Sequence, residues 1–189
     1  MPKSTGIKNR YMRFVGLAIA AVLVGIDQLT KWLVYSNMNE YDSIQLIKLG
    51  DTEVLNISYY TNSGAAFSRF EGQTIMLIGV TSVIIAALVI LLLIGKIQRT
   101  SYIIAASMII GGGAGNLIDR IFNNGNVVDF IDFRIINFAI FNFADICAVC
   151  GAILLFVLVL FFDRKSPDRN ADSPPPNADD STVQDDGND

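Results

Sequence analysis

The chain reads as an all-α membrane protein, with four transmembrane helices carrying a small extracytoplasmic subdomain that contains β-structure. Three observations lead there. The 189 residues are 52% hydrophobic and only 17% charged, with a mean hydropathy of +0.46, a balance unusual for a soluble domain. Four apolar runs reach or approach the roughly 20 residues that cross a hydrocarbon core of about 30 Å. The short basic segments fall on one side of the membrane if the chain crosses it four times.

The first run covers about 14–35, behind Lys3, Lys8, Arg10 and Arg13. A basic start before apolar residues also describes a cleaved secretory signal. Here Ala18-Ile19-Ala20 comes too soon after Phe14, and the run continues through Trp32-Leu33-Val34, so a retained helix is expected. The second run spans about 74–94, the third about 102–118 and the fourth about 141–162. Lys96 and Arg99 lie between the second and third, and Arg164, Lys165 and Arg169 follow the fourth. With the amino-terminal bases they put both termini in the cytoplasm.

Segments 36–73 and 119–140 then face outward. The first holds Val54-Leu55-Asn56-Ile57-Ser58-Tyr59-Tyr60, a strand pattern flanked by turn residues. The second alternates Asn123-Asn124-Gly125-Asn126 with apolar pairs such as Val127-Val128 and is expected at the membrane interface. Residues 1–162 thus form one membrane domain. Residues 163–189 form an acidic cytoplasmic tail with Pro174-Pro175-Pro176, expected to be disordered.

The net charge of −4 is unevenly placed, because the last six acids, from Asp172 on, have no base among them. The remainder carries 14 bases against 12 acids, with no basic cluster interleaved with aromatics, which excludes nucleic acid as a partner. Histidine is absent. Ser-His-Asp triads, Cys-His dyads and H-E-x-x-H zinc sites go with it, so hydrolytic chemistry would need carboxylates or a lysine. Cys147 and Cys150 form a C-x-x-C without thioredoxin-like surroundings and read as small packing residues.

Ionisable groups inside a span are costly, and each needs a reason. Asp27 and Lys31, four apart on the first helix, could be an intrahelical ion pair with the lysine snorkelling outward. Asp27 lies roughly 21 Å along the helix from Arg13 at about 1.5 Å per residue. Asp119 and Arg120 could simply mark the end of the third helix, and Asn116 could join helices. Gly111-Gly112-Gly113-Ala114-Gly115 fits close helix packing better than a phosphate loop. Asn142 and Asp145 share a face at the start of the fourth helix, with no base in helical reach of Asp145. Asp129, between Val128 and Phe130, is another carboxylate in apolar surroundings. With Asn62, these groups gather at one depth near the outer surface, and a pairing of Asp129 with Asp145 is one chemical possibility.

At these residues the chain resembles the lipoprotein signal peptidases (signal peptidase II), over roughly Val24 to Ala148. Five blocks occur in that family's order: Asp27-Gln28-Leu29-Thr30-Lys31, Asn62-Ser63-Gly64-Ala65-Ala66-Phe67, Gly115-Asn116-Leu117-Ile118-Asp119-Arg120, Val127-Val128-Asp129-Phe130, and Phe141-Asn142-Phe143-Ala144-Asp145. The resemblance implies a bacterial membrane aspartic endopeptidase with Asp129 and Asp145 as its catalytic dyad. It implies Asn62, Asn116, Arg120 and Asn142 around the substrate, and Asp27, Lys31, Asp119, Gly64, Gly115 and Ala144 as structural support. It further implies prolipoprotein substrates, cut before a diacylglyceryl-modified cysteine, membrane lipids as surroundings, no metal or other cofactor, and a monomer in the cytoplasmic membrane.

Two other classes remain for comparison. A small transporter or channel would need polar residues along the full bilayer depth. A serine–lysine peptidase would need Lys31 as a desolvated base, whereas Asp27 nearby favours its charged form.

Overall fold

The structure is a computed structural model that describes residues 4–64, 73–136 and 138–162, with side chains described from residue 11 to residue 161 within that range. The expected tail, 163–189, and Ala65-Ala66-Phe67 of the second block lie outside the described residues. Among the described residues, four helices are long and apolar enough to cross a membrane: α1 (Ser4–Asn37), α2 (Thr74–Leu93), α3 (Thr100–Phe122) and α4 (Phe143–Phe162). Three strands, β1 (Ser43–Leu49), β2 (Thr52–Asn62) and β3 (Val127–Phe133), make an antiparallel sheet in the order β1-β2-β3.

The helices differ in how much surface they hide, and their compositions say why. α2 is apolar on every side, and only 6% of its span is buried, as suits a helix facing lipid. Half of α3's span is buried. Its glycines make this possible: a Cβ on Gly112 would stand 2.3 Å from the Ala144 carbonyl oxygen, and one on Gly115 would stand 2.4 Å from Asp27 Oδ2. The glycine run is therefore the surface on which α1 and α4 close upon α3. Ala20, Leu92, Ile103, Ala106 and Ile110 form a small apolar core away from the sheet.

The sheet follows α1 and also fills the connection from α3 to α4, so it caps one end of the bundle. The Gly50-Asp51 turn joins β1 to β2, with φ of +61° at Gly50 giving the left-handed backbone a two-residue hairpin requires. Val34 of α1 packs under Tyr59, Val128 and Phe130, which seats the sheet on the bundle.

Several expectations are revised. The strand expected over Val54–Tyr60 extends to both sides, as β2. β1 and β3 were not expected as strands, because neither alternates cleanly. β1 is exposed throughout, while β3 is buried on both faces and so mixes Asp129 and Asp132 with apolar neighbours. α3 runs one turn beyond 118, so Asp119 and Arg120 lie within its last turns instead of marking its end. The helix can carry them because both side chains find partners in the bundle. α4 begins at Phe143 because Phe141 is bridged to Ile131 of β3.

Candidate active site

Lys31 is buried, at 3% exposure, and does not snorkel. An ammonium has three N–H donors, and here all three are used: Nζ lies 2.9 Å from Asp27 Oδ2, 2.9 Å from Asp119 Oδ2 and 3.0 Å from Asn116 Oδ1. The expected pair is thus a triad joining α1 to α3. Asp27 Oδ1 accepts the Ala144 N–H at 2.9 Å. A carboxylate of α1 thereby satisfies an orphan donor at the positive end of α4. Asp119 also accepts from Gln28 Nε2 at 2.9 Å and from the Val128 N–H at 3.1 Å, which ties α3 to β3.

The start of α4 is a reciprocal cap. Asn142 Oδ1 accepts the Asp145 N–H at 3.0 Å, and Asp145 Oδ2 accepts the Asn142 N–H at 3.1 Å. This is the capping-box arrangement, written with asparagine and aspartate. The Asn142 amide nitrogen points the other way and donates to Asp129 Oδ1 at 2.7 Å and to Asn116 Oδ1 at 3.0 Å. Asn142 is wholly buried and so bridges the two aspartates from behind.

Asp129 and Asp145 open onto one cavity of about 430 Å³, whose polar lining is completed by Asn62, Asn116 and Arg120. Its remaining walls are apolar, among them Phe141, Ile146 and Val149. Asn62 Nδ2 donates to Asp129 Oδ2 at 3.0 Å, and Asn116 Nδ2 to Asp145 Oδ1 at 2.7 Å. Among the described residues neither aspartate is in an ion pair. Burial pushes the Asp129 carboxyl up to about 7. The Asn62 hydrogen bond opposes this, the Asp145 charge adds to it, and the Asn142 bond and the Lys31 charge pull it down. Arg120 donates from Nη2 to the Gly64 carbonyl at 3.0 Å and from Nη1 to Asn116 O at 3.4 Å. Its Nε is buried without a partner among the described residues.

A family model described as signal peptidase (SPase) II matches residues 19–161. The chain belongs to the signal peptidase II family. A lipoprotein signal peptidase of Brevibacillus brevis is 39% identical over 148 residues, covering 78% of this chain and 95% of that one. Another, of Lactococcus lactis, is 38% identical over 151 residues, covering 76% and 93%. Two solved structures, each described as a bacterial membrane enzyme, are similar at 34% identity. One has a TM-score of 0.70, covering 77% of this chain and 87% of that one, and the other 0.68, covering 79% and 94%. Membership makes this chain a peptidase rather than a transporter, and the buried ionisable groups among the described residues, Asp27, Lys31, Asp119, Asp129 and Asp132, agree by lying at the sheet end of the bundle.

The described residues of the five blocks of this signal peptidase II family member meet at that end. Asp129, Asp145, Asn62, Asn116 and Arg120 line the cavity. Asp27, Lys31, Asp119, Gly115 and Ala144 stand behind it, and Gly64 meets Arg120 through its carbonyl. Two details escaped the sequence reading. Gln28 donates to Asp27, Asp119 and the Gly115 carbonyl; its signal was a polar side chain next to Asp27 inside a span. Cys147 is buried as expected, but Cys150 is exposed and faces the cavity. The lysine-base alternative fails, because Lys31 Nζ is fully engaged by Asp27, Asp119 and Asn116.

Proposed function

We propose that this chain is an aspartic endopeptidase that removes signal peptides from prolipoproteins, with Asp129 and Asp145 sharing one proton. The observation that carries this reading is that two carboxylates meet at one cavity, are bridged by Asn142, and have amides rather than cations as partners. Two close carboxylates do not readily both ionise. Asp129 is the more deeply buried, at 4% exposure, and holds the proton, while Asp145 is only half-buried.

Asp145 then takes a proton from a water held between the two, and the water attacks the scissile carbonyl. Asp129 hydrogen-bonds the carbonyl oxygen and stabilises its developing charge. Arg120, which lines the same cavity, offers further guanidinium donors to a substrate carbonyl. Proton transfer to the leaving amine completes cleavage. The apolar walls suit a signal helix and a diacylglyceryl group arriving sideways through the bilayer, with cleavage on the amino side of the modified cysteine.

The basic loop at Lys96 and Arg99 supports an orientation with both termini cytoplasmic and the sheet outside. A cysteine placed at Asp51 should react with an impermeant reagent in intact cells, and one at Lys96 should not; the reverse pattern would place the site inside. The activity test is purified enzyme in detergent with diacylglyceryl-modified and unmodified prolipoprotein. Cleavage of the modified form alone is expected, and no cleavage of either would remove the proposal.

A further inference from the structure

β2 does not pair regularly with β3. Asn56 lies opposite Asp132 and Ile57 opposite Ile131, but the next pair is Tyr60 with Asp129. Three steps on β2 match two on β3, so Ser58 and Tyr59 together oppose Phe130. This is a β-bulge, a device that re-aims the side chains beyond it. Before the bulge, Asn56 and Ser58 lie on the face of Asp132. In an unbroken strand the even-numbered residues would keep to that face, and Asn62 would point away from Asp129. The extra residue resets the alternation, so that Asn62 reaches Asp129 Oδ2 at 3.0 Å.

A polar set centred on buried Ser58 and Asp132 holds the strands on the near side of the bulge. Ser58 is wholly buried and Asp132 is 5% exposed. Ser58 Oγ donates to Asp132 Oδ2 at 2.8 Å, and Arg134 Nε sits 2.7 Å from the same oxygen. Ser43 of β1 joins through its hydroxyl, 2.8 Å from that of Ser58, and accepts from Asn56 Nδ2 at 3.2 Å. We infer that Ser58, Asp132 and Arg134 form a register lock: they hold the bulge in β2 and thereby deliver Asn62 to the face of Asp129. Sliding β2 by one residue to erase the bulge would remove the Ser58 donor from a buried carboxylate, which opposes the slip. These are positioning residues, on the opposite face of the sheet from Asp129, and the inference rests on the aspartate-dyad reading above.

The test is a double-mutant cycle on the purified full-length enzyme, read as kcat and KM for diacylglyceryl-modified prolipoprotein. Ser58 and Asn62 point to opposite faces, so a purely structural Ser58 would act independently of Asn62. We expect Ser58→Ala to lower kcat about tenfold with KM little changed, and Asn62→Ala on that background to cost less than about threefold more. Asn62→Ala alone should cost about tenfold. Ser58→Thr, which keeps the hydroxyl, should restore most of the rate. Additive losses, or a Ser58→Ala enzyme with lowered melting temperature and unchanged kcat, would overturn the lock. Should Ser58→Ala give no folded protein, the isosteric Asp132→Asn takes its place in the same cycle. Full cleavage by Asp129→Asn would instead sink the dyad itself, a separate outcome.

Discussion

Asp27, Asp119, Asp129 and Asp145 converge at the sheet end of this bundle, and they are held in two different ways. Asp27 and Asp119 grip a single buried ammonium, that of Lys31. Asp129 and Asp145 receive hydrogen bonds from Asn62, Asn116 and Asn142. In the first arrangement one ammonium donates to both carboxylates and ties α1 to α3, so it suits architecture. In the second, amides satisfy the oxygens without neutralising them, and burial raises the Asp129 carboxyl to about 7. Distance from solvent does not separate the two sets, because Asp27 and Asp129 are both buried. The identity of the partner does.

The largest expected effect breaks the second set. Asp129→Asn and Asp145→Asn should each lower cleavage of modified prolipoprotein by about 10³-fold or more, because asparagine keeps the shape but cannot exchange a proton with water. The double variant should be hardly slower than either single, since both remove one shared device. Normal amounts of folded protein in detergent must accompany the loss. Substantial turnover by either single variant would reduce Asp129 and Asp145 to the same structural rank as Asp27 and Asp119.

The first set should fail in stability instead. Lys31→Met strands two buried carboxylates and should cost about 3–5 kcal/mol of stability, seen as lost yield or a much lower melting temperature. Asp27→Asn should cost less, because asparagine still accepts the Ala144 N–H, and its folded fraction should cleave at near the parent rate. A large fall in kcat for folded Asp27→Asn enzyme would merge the two sets into one machine.

The smallest effect tests the proton itself. Asp129 is raised to about 7, so its acid form is present below that pH and lost above it. If it serves as the acid, kcat/KM should fall roughly tenfold per pH unit on the alkaline side. Asn62 favours the charged form through its hydrogen bond. Asn62→Ala should therefore move that limb to higher pH, by about half a unit. A limb that stays put, or moves to lower pH, would mean that Asp129 does not carry the titrating proton.

Much of this was legible along the chain. Four apolar runs determined the spans, because hydrophobic length is a local property. The polar residues of α1, α3 and α4 fell at one depth, because helical rise converts position into height. The five blocks pointed to Asp129 and Asp145. What the sequence could not determine was partnership. Whether Lys31 reaches outward or inward depends on Asp119, 88 positions away in the chain and brought close by glycines that let α1 settle on α3. Asn142 looked like a residue that meets substrate; packing made it a buried bridge and the cap of α4. β3 mixed acids with apolar residues and did not read as a strand until both its faces were covered. The bulge that turns Asn62 toward Asp129 exists only in the register between two strands. Hydropathy belongs to single residues and their near neighbours, whereas charge compensation and register belong to pairs far apart in the chain, and only the closed fold brings such pairs together.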